Sequence, residues 1–169
     1  MTNKEKHAGL VSTERAKQII SKHRIAENQD WDIDRPTKED CTGQNFHFYA
    51  SLETEDGITE KGMLVSALFS FGKRTSHQKL HFKLEFNGKA DENYRRIIDL
   101  DSRRPVNWKG KGNDKNWPHI HIGADDRRSL PVEKNSSIID VSKHAKMFEE
   151  YANISFKTKV RDPNELILR

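Results

Sequence analysis

His119 and His121 stand one residue apart in the run Pro118–Gly123, which reads PHIHIG. In an extended strand successive side chains alternate faces, so the two imidazoles point one way and Ile120 and Ile122 the other. Upstream, Asp99 and Asp101 alternate with Ile98 and Leu100. Pairing of these two segments would gather acids and imidazoles on one face. His81, in a third alternating segment, can join them. Imidazole changes charge near neutral pH, which suits it to proton transfer and to metal ligation.

Three chemistries are open to such a face. His119 and His121 could ligate one divalent ion, zinc foremost, at about 2.0–2.1 Å, with Asp99, Asp101 or His81 as third ligand and an open position activating water. Without a metal, one histidine could act as general base and another as general acid on a phosphodiester, with Lys83 or Arg95 holding the phosphate. Or the face could bind a ligand or partner with no chemistry. A solvated sheet face is polar in any case. Histidines with two acids and a tyrosine are nevertheless a less ordinary choice than Thr, Lys, Glu and Ser.

These side chains need a sheet to hold them. Asn45–Glu53 alternates Phe46, Phe48, Ala50 and Leu52 with His47, Tyr49 and Ser51, and Lys79–Asn87 alternates Leu80, Phe82, Leu84 and Phe86 with His81, Lys83 and Glu85. Asp56-Gly57 and Asn87-Gly88 are hairpin pairs. Met63–Phe71 carries Leu64 and Leu68 besides Met63, Val65, Ala67 and Phe69, which predicts a strand covered on both sides or one that leads toward the centre. Arg95–Asp101 and His119–Gly123 follow, and Ile154–Val160 could add a short edge strand. Ser12 or Thr13 can cap a helix with Ala16, Ile19 and Ile20 as its stripe. Asp140 can cap a second, carrying Val141, Ala145, Phe148, Tyr151 and Ala152, with Asn153 as a left-handed C-cap. The expectation is a single α+β domain over residues 1–169 with residues 1–9 frayed. Its antiparallel sheet would have about five strands, with N- and C-terminal helices packed on one face. Phe46, Phe48, Leu80, Phe82, Leu84, Phe86, Ile98, Leu100, Ile120 and Ile122 should be buried together.

Between the last two sheet segments runs a loop with Trp108, Lys109, Lys111, Lys115, Trp117 and two glycines. It lacks the Gly-Lys-Ser/Thr ending of a phosphate-binding P-loop. Its lysines could instead contact a phosphate backbone while a tryptophan stacks on a base. Asp125-Asp126-Arg127-Arg128 reads as a self-compensating charged turn, and Trp31 as a plug at a core edge.

The formal net charge of +4 leans mildly toward nucleic acid, phosphate or an acidic partner. Cys41 is the only cysteine, which rules out an internal disulfide and a multi-cysteine zinc site and fits a reducing cytoplasm. No apolar run nears the roughly 20 residues that span a bilayer, so no membrane partner is expected.

The order Arg96–Asp101, Pro105, Gly110–Asn113, Pro118–Ile122, Pro131 and Phe148–Ile154 (FEEYANI) resembles a family of small bacterial proteins of unknown function. The likeness covers roughly the C-terminal half, with Pro-His-Ile-His-Ile as its one sharp motif. The resemblance implies a site at this place and no particular activity. Members carry a further histidine soon after the loop-leading proline, where this chain has Val106, Asn107 and Trp108. The expected function is binding of phosphate-containing ligands or nucleic acid through the histidine-bearing face, with phosphodiesterase or nuclease activity as its catalytic form. The alternative is a non-enzymatic accessory or inhibitor protein of a phage or mobile element that binds a protein partner.

Overall fold

The computed structural model describes residues 9–34, 43–72, 77–86, 95–104, 118–131 and 136–166. Helix α1 (Thr13–Ile20) is followed by β1 (Arg24–Glu27), β2 (Asp32–Asp34), β3 (Gly43–Glu53), β4 (Thr59–Gly72), β5 (Gln78–Phe86), β6 (Arg95–Arg104), β7 (His119–Ile122) and β8 (Asp126–Ser129). Helix α2 (Val141–Ala152) and β9 (Ile154–Phe156) close the chain, with one 3-10 turn at Pro163–Glu165. The strands form one sheet in the order β8-β7-β6-β5-β4-β3-β1-β9, with β2 paired to β3.

This overturns the expected five-stranded antiparallel sheet with helices packed on one face. Strand accounts for 52% of the described residues, in a curled nine-stranded sheet that is mixed because β9 runs parallel to β1. The additional strands are short and mostly polar: RIAE, DID and DRRS. Backbone pairing with a neighbour makes a strand, and apolar alternation is only its usual trace. In β1 the inward position that would ordinarily be aliphatic is Arg24, whose guanidinium donates to the carbonyls of Ile19 and Lys22 and to Glu60 Oε2 at 2.8 Å. The charged stretch expected as a turn becomes β8, though its charges do compensate one another: Arg128 Nη2 lies 2.8 Å from Asp126 Oδ2.

The core is the apolar side of β3 to β7. Phe46, Phe48, Leu80, Phe82, Leu84, Ile98, Leu100, Ile120 and Ile122 are buried as alternation predicts, while Phe86, at the end of β5, is half-buried. Helix α2 seals this side: the Phe148 ring stacks on Phe82 at 5.3 Å, and Phe156 lies 6.1 Å from Phe82. Trp31 packs edge-on against Phe48 at 4.8 Å and donates Nε1–H to the Arg161 carbonyl. Strand β4 lies toward the centre of the sheet, between β3 and β5, and is not covered on both sides, since Leu68 is 39% exposed and Leu64 half-buried on the polar face.

Helix and turn signals hold locally. Ser12 Oγ accepts from the Arg15 amide, Asp140 Oδ1 accepts from the Lys143 amide, and Asn153 adopts φ 52° at the C-cap of α2. Gly57 takes φ 79° in the turn joining β3 to β4. Among the described residues no helix is long and apolar enough to cross a membrane.

Candidate functional site

The side of β5, β6 and β7 opposite the core carries the histidines. Antiparallel register sets His81 across from Asp101 and Lys83 across from Asp99 on one flank of β6. On the other flank His119 faces Asp101 and His121 faces Asp99. Five of the residues singled out by alternation, His81, Asp99, Asp101, His119 and His121, therefore meet around the middle of β6.

His81 lies between the two carboxylates, with Nε2 3.1 Å from Asp101 Oδ1 and Nδ1 3.5 Å from Asp99 Oδ1. Both ring nitrogens are buried against these carboxylates. Arg96 also holds Asp99, and Arg103 Nη2 lies 3.6 Å from Asp101 Oδ2. The His119 and His121 rings meet edge-on with centroids 5.1 Å apart. Asp99 is 4% and His119 6% exposed, so the cluster is set into the protein rather than spread on its surface.

Burial and charge push two of these imidazoles in opposite directions. Burial alone would lower the His81 pKa, but contact with Asp101 and Asp99 outweighs it and raises the pKa above the ordinary 6.5. Asp99 is correspondingly lowered: the burial that would raise it is overcome by His81, with Arg96 and Lys83 adding their charges. His119 is pushed down to about 4, first by burial and then by the nearby Arg127 charge.

Arg95 is not brought to the cluster. Strict alternation puts Arg95 on the face of Asp99, but β6 holds one extra residue, Ile97, where Leu84 pairs with Ile98 and Glu85 with Arg96. A bulge of one residue exchanges the faces beyond it. Arg96 thereby takes the place expected for Arg95, which instead lies exposed near Leu10, Ser12 and Phe86. Arg96 and Arg127 are site residues that alternation alone does not single out, and Arg103, on the same face as Asp101, lies beyond the expected end of that strand. Trp108, Lys109, Lys111, Lys115 and Trp117 lie outside the described residues.

Among the described residues, no group of three or more His, Cys, Asp or Glu side chains has the geometry to hold a metal ion. A cleft of about 530 Å³ lies elsewhere, lined by Arg104, Ser136, Ile138, Asp140, Lys143, His144 and Asp162. It contains none of the clustered residues, and the cluster is the better candidate because three histidines and two carboxylates face one another there, whereas the cleft holds a single histidine. No family model, no curated protein and no solved structure matches this chain, so its likeness to known proteins assigns it neither fold family nor activity.

Proposed function

We propose that the histidine-bearing face binds phosphate-containing ligands, nucleic acid foremost, and carries out acid–base chemistry on a phosphodiester. The observation that supports this is the opposed tuning of His81 and His119 within one cluster. Environments that separate two titratable groups in this way define an acid and a base. Neutral His119 accepts the proton of the attacking hydroxyl as its oxygen bonds to phosphorus. The proton for the departing oxygen passes from the His81 imidazolium through Asp101, 3.1 Å from its Nε2, as the second P–O bond breaks, and solvent exchange then restores both rings. Asp99 and Asp101 hold His81 charged. A polyanion is tolerated beside them because His81, Arg96, Arg103 and Lys83 offset the two carboxylates and Arg127 adds charge next to His119.

The test is cleavage and binding of labelled RNA and DNA across a salt series. His119→Ala and His81→Gln should lower turnover by about 10²–10⁴-fold with affinity nearly unchanged. Turnover should rise with pH through about 4 as His119 loses its proton, and fall above the raised pKa of His81. Lys83→Ser should reduce the log–log salt slope by about 0.7–0.9, and replacing Lys109, Lys111 and Lys115 with Ser should flatten it by roughly two to three. A parent protein with neither cleavage nor salt-dependent binding refutes the proposal and leaves the accessory or inhibitor function, with this face docking a protein partner.

A further inference from the structure

Beside the acid–base cluster the same face of the sheet carries an apolar strip with no counterpart in the proposed chemistry. Tyr49, in β3, pairs with Ser66 of β4 and on its other side falls between the stretches paired with β2 and β1; it is 62% exposed, and Leu68, in β4, is 39% exposed. The His47 ring meets Tyr49 edge-on at 5.8 Å and is itself held by Asp34 at 3.2 Å. Register ties this strip to the cluster in two adjacent rows. One runs Tyr49, Ser66, Lys83, Asp99, His121, and the other His47, Leu68, His81, Asp101, His119. At about 4.8 Å per strand, Tyr49 lies about 10 Å from Lys83 and Leu68 about 5 Å from His81.

We infer that Tyr49, steadied by His47 and bordered by Leu68, is a stacking platform for a base of single-stranded nucleic acid whose phosphate lies toward Lys83 and His81. This inference rests on the phosphate-binding function proposed above and adds to it the strandedness of the ligand and the residue that meets its base. The small Ser66 lies between Tyr49 and Lys83 with its hydroxyl turned to Glu85 at 3.1 Å, and the tyrosine stays exposed beside it. A ligand that matches a flat apolar surface followed by a cation has a planar ring joined to an anion, which describes a nucleotide. Bases in a duplex already stack on one another, so only an unpaired base can lie on Tyr49.

The experiment uses the full chain, short labelled single-stranded RNA and DNA, the matching duplexes, and an oligonucleotide with abasic positions. Tyr49→Ala should weaken single-strand affinity by about 5- to 150-fold, the range expected for one lost base stack. Tyr49→Phe should bind like the parent. The salt slope should stay unchanged in both, because no phosphate contact is removed. The abasic oligonucleotide should bind the parent as weakly as the intact one binds Tyr49→Ala. The exposed position makes misfolding an implausible cause, and an unchanged melting temperature checks it. If the parent binds with salt dependence but Tyr49→Ala binds equally well, or if duplex is preferred, the platform is refuted and the phosphate site stands. If the parent binds no oligonucleotide, both are refuted, and the strip becomes a protein-docking surface.

Discussion

Replacing His119 with glutamine removes one proton-linked contribution to stability whose size and sign follow from the site. The folded-state pKa of His119 is pushed down to about 4 from an ordinary 6.5. A group depressed on folding is bound by protons more readily in the unfolded chain. Its neutral form therefore costs nothing above pH 6.5, and stability is lost as pH falls from 6.5 to 4. At about 1.4 kcal/mol per pKa unit, the loss reaches about 3 kcal/mol near pH 4. His119 is nearly buried, so solvent screens little of this. His81 acts in a different window: its raised pKa contributes stability fully present below 6.5 and lost as pH climbs through the folded value. Asp99, lowered below 3.8, contributes stability present above that value and lost in stronger acid. His144, also lowered by burial, loses stability in the same direction as His119, so the informative quantity is the difference between parent and His119→Gln. Urea unfolding at closely spaced pH values should show that difference changing by about 3 kcal/mol in the variant's favour between pH 6.5 and 4. A difference that stays flat would mean that His119 is not desolvated in the folded protein, and its assignment as the neutral base would fall with it.

Phe82, fully buried against Phe148, Phe156 and Phe48, should cost about 3–5 kcal/mol when replaced by Ala, lowering Tm by roughly 10 °C in calorimetry. Gly123 has φ 64°, and a Cβ there would meet the Thr13 and Ser12 backbone at 2.6–2.8 Å. Gly123→Ala should therefore lose more than the roughly 1–3 kcal/mol of left-handed strain alone, and a denaturation midpoint equal to the parent's would refute the close approach of α1 to the β7 turn.

The chain's period-2 pattern was enough to identify one face of β3, β5, β6 and β7 as core and the other as histidine-bearing. It works because a buried strand face tolerates no polar side chain without a partner. The caps at Ser12, Asp140 and Asn153 were equally legible, since capping depends on a few neighbouring residues. The five-residue cluster was visible as a set of types on one face, but not as contacts.

Tertiary pairing decided the rest. Strands β1, β2 and β8 are made by neighbours that offer hydrogen-bonding edges, and polar sequences such as DID and DRRS carry no apolar trace of them. The exchange of Arg95 for Arg96 depends on a bulge that no single-strand pattern announces. The opposed tuning of His81 and His119 is likewise a property of the assembled sheet. Both are histidines on alternating strands, yet one lies between two carboxylates and the other is buried beside Arg127. An amino-acid sequence specifies which groups can titrate, while the charges and the burial that set where they titrate come from residues far away along the chain.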